Sequence, residues 1–238
     1  DLVGVGVSVS GLAGVGASIA TAEISGTVNA YIKNTTIGSE GVRATSTTVS
    51  AKSDDKAVAK ATAAGGGVGV ALQGAGSTAD VKPIVTATLS NSNVYTSSAV
   101  TVSAEAIARA ETKATGFAVA GILAAGGSLA ESTVGAQVAA SITGASIVDA
   151  GSINVLARLT TPLVKAASTG SAGALVGLSA TISKAKTNST AIASVFGATL
   201  KATGLVNLDA QSSTNQDADA SGLAVGLVAA GFNKATAQ

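Results

Sequence analysis

Apolar and polar residues alternate at four evenly spaced places in the chain. Ala51, Ala104, Ala157 and Ala210 lie 53 residues apart, within the segments VSAK, VSAE, VLAR and LDAQ. Just before these alanines the apolar residues are spaced two apart, at Val49, Val100, Val102, Ile153, Val155, Val206 and Leu208. A period of two predicts a strand with one buried face. Because this strand recurs at a fixed interval, the pattern predicts an array of repeats.

A second alternating segment precedes the anchor strand of each unit. Val81, Val85, Ala87 and Leu89 recur as Val134, Val138, Ala140 and Ile142, and then as Ala191, Ala193 and Val195. The two strands are separated by turn residues, SNSN, TGAS and GAT, and by the single apolar residues Val94, Ile147 and Leu200. Asn, Gly, Asp and Ser accept the tight and left-handed conformations of sharp corners. Each unit is therefore predicted to run strand, corner, short strand, corner, strand, with a slip of one residue in the first unit between Ile37 and Val49.

These features predict an all-β fold, namely a parallel β-solenoid of about four and a half 53-residue repeats in one domain, residues 1–238. The repeat units are approximately 1–26, 27–79, 80–132, 133–185 and 186–238. We expect each unit to supply two or three coils, stacked about 4.7 to 4.9 Å apart. Equivalent residues should then line up along the axis, two coils or roughly 10 Å apart. Stability should be nearly additive along the array.

Uncharged runs rich in Gly and Ala follow the anchor strands, and a similar run opens the chain. Gly costs about 0.5 to 1 kcal/mol relative to Ala inside regular structure, so we expect these glycines to permit close backbone approach. The runs are near the length of a transmembrane helix, which leaves a membrane-active, toxin-like protein as an alternative. Their Gly, Ser and Thr content, the lack of aromatic belts and the strand period of Val3, Val5, Val7 and Val9 argue against membrane insertion of this segment.

Composition excludes several classes of function. The 238 residues contain no Cys, His, Met or Trp, which excludes disulfides, thiol chemistry and the usual zinc sites. The net charge of +1 favours no nucleic-acid partner. Aromatic residues are 2% of the chain, so the core must be thin. We predict no cofactor and no metal site.

Two acidic clusters are the candidates for catalysis. They comprise Asp54, Asp55 and Lys56 in the first cluster and Asp209, Asp217 and Asp219 in the second. A carbohydrate-acting β-helix enzyme would use such carboxylates in a groove, and this is a further alternative. We favour solvated surface charges that prevent edge association. The equivalent positions of successive units are expected to alternate in a way that avoids like charges, as in Lys52, Glu105, Arg158 and Gln211. No catalytic, cofactor-binding or metal-binding residue is therefore predicted, and the protein is not expected to be an enzyme.

The segments AYIKNTTI, ATLSNSNVYTSSAVTVSAEA and GASIVDAGSINVLAR, alternating with GGGVGVAL and VGVSVSGLAGVGASIA, resemble the repeat regions of filamentous haemagglutinin and leukotoxin-like large bacterial surface proteins. The resemblance covers all 238 residues and rests on degenerate motifs. It implies a right-handed parallel β-solenoid outside the cell or on its surface, in a stalk or fibre used for adhesion, aggregation or biofilm. The expected partners are other copies of the chain, by end-to-end or lateral association, and a receptor or glycan on a host or neighbouring cell. The chain is expected to be a piece of a longer protein.

Overall fold

The computed structural model describes residues 1–238 and consists of strands joined by turns and loops, with no helix. The all-β prediction is confirmed. The strands are β1 (Leu2–Ser10), β2 (Ala13–Lys33), β3 (Thr36–Ile37), β4 (Thr47–Gly67), β5 (Val70–Ser90), β6 (Asn93–Tyr95), β7 (Ala99–Ala120), β8 (Leu123–Val134), β9 (Gln137–Thr143), β10 (Ile147–Ala150), β11 (Ser152–Gly173), β12 (Val176–Thr187), β13 (Thr190–Phe196), β14 (Thr199–Ala202), β15 (Val206–Val225) and β16 (Val228–Ala237).

All strand pairs are parallel, and they form three sheets. Sheet A has the order β1-β4-β7-β11-β15, and sheet C has the order β3-β6-β10-β14. Sheet B stacks β2, β5, β8, β12 and β16, while β9 and β13 continue β8 and β12 beyond a short break. The chain visits sheets A, B and C in turn, and we call each such circuit a pass. Each of the first four passes therefore adds to all three sheets.

The register confirms that the anchor alanines line up across sheet A. Ala51 pairs with Ala104, Ala104 with Ala157, and Ala157 with Ala210. However, these residues lie on directly neighbouring strands, about 4.8 Å apart. The expectation of two or three coils per 53-residue unit, with equivalent residues roughly 10 Å apart, is therefore wrong: one pass takes the whole unit.

The passes are long because the strands do not end where the charged stretches begin. In β4, buried positions continue past Ala51 through Ala57, Ala59, Ala61 and Ala63, so the Gly-rich run belongs to the same strand as the anchor. The β4 strand has 21 residues, which corresponds to about 70 Å at 3.3 Å per residue. The β5 strand has the same length and returns on the other face.

The space between sheets A and B narrows from sheet C toward the turns that join the two sheets. We call these two-residue turns the apex; they are residues 11–12, 68–69, 121–122, 174–175 and 226–227. From sheet C to the apex, the buried apolar residues of β5 are Leu89, Ala87, Val85, Val81, Ala79, Ala75 and Ala71. Near the apex the backbones nearly touch, since a Cβ added to Gly65 would lie 2.9 Å from the carbonyl oxygen of Leu72. Close approach is therefore the reason for inward-facing glycine here.

Hydroxyl groups connect the two sheets where the interior is too narrow for large side chains. Ser128 Oγ donates to the carbonyl oxygen of Thr169 at 2.8 Å, and Ser132 Oγ donates to that of Lys165 at 2.5 Å. Ser132 also lies 2.9 Å from the hydroxyl of Thr112 on sheet A. Both serines are buried. Buried hydroxyls that find partners in this way avoid the penalty of an unpaired polar group.

Both prolines of the chain coincide with irregularities in the ladders. Pro162 lies in a β-bulge of β11, where one extra residue is inserted between Thr160 and Leu163 relative to β7 and between Thr161 and Val164 relative to β15. Pro83 lies in β5 beside the break that separates β8 from β9. Proline has no N–H to donate to a ladder, so it is tolerated where pairing is interrupted.

The corners between sheets B and C have the predicted chemistry. A left-handed residue occurs in each of the first four passes, at Asn34 (φ 53°), Asn91 (φ 47°), Gly144 (φ 72°) and Gly197 (φ 68°). This agrees with the expectation that Asn and Gly mark sharp corners.

Two details of the corner alignment differ from the prediction. The buried residue equivalent to Val94 is Val148 rather than Ile147, because this corner has one extra residue. In the first pass, Ile37 pairs with Val94, 57 residues later, whereas the next strand pairs at an interval of 53. Loop 38–46 therefore carries four additional residues, instead of the predicted slip of one.

Candidate functional site

The first acidic cluster is divided between the two faces of sheet A. Asp54 faces outward and forms an ion pair with Arg109 on the neighbouring strand. Asp55 occupies the alternate, inward position and accepts a hydrogen bond from the hydroxyl of Ser53. Adjacent residues of a strand point to opposite faces, so the two carboxylates do not converge on one groove.

The outer face of sheet A carries diagonal ion pairs between neighbouring strands. Lys56 lies directly opposite Arg109, so these like charges are about 4.8 Å apart by strand spacing and not at the predicted 10 Å. Each finds a carboxylate two residues along the opposing strand: Arg109 pairs with Asp54, and Lys56 Nζ lies 4.0 Å from Glu111. Diagonal neighbours at this spacing are within reach of long side chains.

Several of the remaining predicted charges also form cross-strand pairs, whereas Asp219 forms no ion pair. Lys52 Nζ lies 3.0 Å from Glu105, which confirms the alternation predicted for that position. In the second acidic cluster, Asp209 lies 3.9 Å from Arg158 and Asp217 lies 3.2 Å from Lys165. These aspartates are distributed along β15 in separate ion pairs instead of sharing a site.

One ion pair spans three passes and was not predicted. Arg43, in loop 38–46, extends past β6 and donates to Asp149 Oδ1 of β10 at 2.7 Å. It also donates to the carbonyl oxygen of Thr96 at 3.3 Å. The hydrogen bond from Arg43 holds the pKa of Asp149 below its ordinary value, while desolvation opposes this shift. The pair ties the enlarged corner of the first pass to the third pass, and the sequence gives no signal for it because the partners are 106 residues apart.

The outer face of sheet B beside the apex is apolar, and we call it the apical face. It comprises the outward positions of β2, β5, β8, β12 and β16 within residues 13–19, 70–76, 123–129, 176–182 and 228–234. Leu72 and Leu178 are exposed by 41% and 43%, and Phe232 by 56%. Gly74, Gly127 and Ala180 line two adjoining shallow depressions of about 500 and 480 Å³ between the larger side chains.

The apex adds a ridge of large aliphatic residues. These residues are Leu12, Val68, Ile122, Leu175 and Leu227, one in each pass, and each is more than half exposed. Soluble proteins rarely expose contiguous apolar surface on this scale unless it contacts a partner. The signal was present in the Gly-rich runs, where the residues facing both sides of the strand are apolar or glycine, as in GILAAGG at residues 121–127.

Comparisons with known proteins leave the chain without an assigned relative. No family model matches it, and no curated protein or solved structure matches it significantly. No helix of the structure has the length and apolarity needed to cross a bilayer. No group of three or more acidic side chains in the 238 residues is arranged to hold a metal ion.

Proposed function

We propose that the chain is a segment of a right-handed parallel β-solenoid with one coil per repeat unit, and that it serves as a structural part of a large extracellular bacterial adhesin or fibre. The observation that carries the fold is the pairing of equivalent residues in successive passes, which recurs in all three sheets. A right-handed path follows the strong preference of crossovers between parallel strands. About four and a half units would make up these 238 residues.

The proposed role depends more on the area of the flat faces than on the length of the segment along the stacking direction. Five strands in sheet A correspond to four spacings, or about 19 Å along the stacking direction. Each pass is about 70 Å across, as estimated from the 21 residues of β4. The segment therefore presents broad flat faces per unit length, which suits adhesion, aggregation or biofilm by contact between faces. The resemblance to haemagglutinin-like repeats supports a location at the cell surface or outside the cell, where a receptor or glycan on another cell is a further candidate partner.

Electron microscopy and diffraction test the fold and the fibre together. Copies of the purified chain stacked end to end, and any longer protein of such repeats, should give unbranched blades about 70 Å wide, with a reflection near 4.8 Å along the stacking direction. Compact globules without that reflection would contradict the proposal.

Surface display tests the adhesive role separately. The segment displayed on a non-adherent bacterium should make the cells clump, whereas a displayed globular domain of equal length should not. If cells displaying the folded segment stay dispersed and bind no abiotic or cellular surface, the adhesive function is wrong even though the fold stands.

A membrane-active function is the second candidate, because the apex ridge exposes five large aliphatic residues in a row. It predicts that the chain floats with neutral phosphatidylcholine vesicles and releases a trapped dye from them. A chain that stays in the aqueous fraction and leaves the dye trapped would exclude it.

A further inference from the structure

We propose that the apical face is a self-association surface, on which the apical face of a second copy of the chain packs laterally. This inference rests on the proposed structural function and names the surface through which the assembly forms. It extends that function, because lateral packing joins solenoids side by side instead of lengthening them.

The first support is the uniformity of the face. The register gives four outward positions on each of five strands, and of these twenty positions only Lys234 is polar. It lies on the last strand, at the corner of the face. An interface core depleted of charge is the composition expected for a lasting contact.

The second support is the area. An outward position of a sheet covers about 4.8 Å across the strands and 6.6 Å along them, or about 32 Å². Twenty positions then cover about 640 Å², so two faces in contact bury about 1,300 Å². Specific and stable interfaces bury about 1,200 to 2,000 Å² in total, so the face is large enough for a stable dimer.

The third support is the shape of the face, in which rows of small and large side chains alternate. The small residues Gly74, Gly127 and Ala180 form a row across the three middle strands, which continues to Ala17 on β2 and to the large side chain of Phe232 on β16. This row lies between a row containing Leu72 and Leu178 and a row containing Leu129 and Ile182. Under a two-fold axis, the leucines of one copy fit the row of small residues of the other. Paired sheets pack about 10 Å apart by such interdigitation.

The surroundings favour a second copy over a lipid surface. The next outward row away from the apex contains Thr21, Thr78, Glu131 and Lys184. This is a polar rim of mixed charge, which suits a protein interface. A surface that binds anionic lipid would instead carry a cluster of basic residues.

The test compares two lysine substitutions in the 238-residue chain. Leu178→Lys places a charge in the centre of the apical face, and Ile192→Lys is the control on the same outer side of sheet B but outside that face. Sedimentation velocity over a concentration series should show wild type and Ile192→Lys as laterally paired species. Leu178→Lys should sediment with half their mass, with an unchanged circular dichroism spectrum. A monomeric wild type, or equal masses for the two variants, would overturn the proposal.

A cysteine crosslink gives a second readout that does not depend on destabilising the face. The chain has no cysteine, so Gly127→Cys introduces a single thiol at the centre of the face, where a Cβ has ordinary clearance of 3.9 Å from the nearest atom. Because facing sheets pack about 10 Å apart, too far for a direct disulfide, a bis-maleimide crosslinker that spans about 10 to 15 Å should yield a covalent dimer, whereas the loop control Gly41→Cys should remain monomeric. Equal crosslinking of both variants would contradict the two-fold contact.

The outcomes separate this inference from the proposed function. Blades that form equally well with Leu178→Lys and show the same width and mass would leave the structural function intact and remove the lateral face. Binding of the wild type to phosphatidylcholine vesicles that is lost in Leu178→Lys would assign the face to lipid and also overturn the inference.

Discussion

A matched pair of glycine substitutions tests the narrowing of the interior most directly. Gly65 and Gly74 belong to the same pass and lie on either side of the same apex turn. Gly65 faces inward against sheet B, whereas Gly74 faces outward on the apical face. Replacing each with alanine adds one methyl group to a strand residue, toward the interior at Gly65 and toward the outside at Gly74.

The structure predicts opposite signs for the two changes. A Cβ on Gly65 would lie 2.9 Å from the carbonyl oxygen of Leu72, while ordinary contacts begin at 3.4 Å, so the backbones must separate by about half an ångström. Overpacking of this kind costs about 1 to 3 kcal/mol, and the gain from replacing Gly in a strand returns only about 0.5 to 1 kcal/mol. At Gly74 no atom of the chain lies within 4 Å of the added Cβ, so only the gain of about 0.5 to 1 kcal/mol applies when both substitutions are made in the Leu178→Lys background, which removes packing of a second copy on the apical face.

Urea unfolding followed by far-ultraviolet circular dichroism measures both effects. Gly65→Ala should lower the midpoint and Gly74→Ala should raise it, with the same dependence on denaturant as the Leu178→Lys parent. The two free energies of unfolding should differ by about 1 to 3 kcal/mol, since the propensity gain is common to both variants. If both substitutions stabilise the protein, sheets A and B do not approach closely at the apex, and the explanation of the inward glycines fails.

Three further predictions concern the core and the corners. Val102→Asp should destabilise the chain by about 4 kcal/mol or more, because Val102 is fully buried between Val49 and Val155, and a soluble, cooperatively folded variant would refute its inward orientation. Ser132→Ala should cost about 1 to 3 kcal/mol in a urea titration, because it removes the hydrogen bond to the carbonyl oxygen of Lys165 and the partner of the buried Thr112 hydroxyl, and an unchanged midpoint would show that these links contribute nothing. Because the pKa of Asp149 is lowered on folding, its contribution is full above the ordinary value of 3.8 and is lost as the pH falls below it. Melting temperatures between pH 2 and pH 5 should therefore fall less steeply for Asp149→Asn, and parallel curves would contradict this.

Short-range alternation predicted the strands and their register from the sequence. The pairs Val81 with Val134 and Leu89 with Ile142 occur as predicted, and so does the row of anchor alanines. These predictions succeed because a period of two determines which face of a strand is buried, and a fixed repeat interval determines which residues stack.

The number of coils per repeat could not be obtained in the same way. Alternation continues from Val49 through the charged stretch and the Gly-rich run, so nothing local separates one long strand from several short strands. The one-residue offset at Val148 has a similar cause, since the length of a corner is decided by its path in space and not by its composition. The ion pair between Arg43 and Asp149 depends on both the number of coils per repeat and the lengths of the corners, so the sequence alone did not predict it.

The part of each pass near the apex, where sheets A and B approach closely, is best explained by the surface that it presents. Stacked passes gain about 4.8 Å per pass along the stacking direction, whatever the length of the pass, so a pass of 53 residues adds less than about 0.1 Å per residue. The residues near the apex bury little volume, because the interior there holds mainly alanine, glycine and serine, with Gln73 as the larger exception. Main-chain ladders and inter-sheet hydroxyls such as that of Ser128 hold this half together without a large core. Its outer side is nevertheless lined with leucine, isoleucine and phenylalanine on sheet B, an arrangement that weakens solubility unless the face is covered. Extending the coil toward the apex therefore adds contact area and not reach, which is the geometry that lateral association requires.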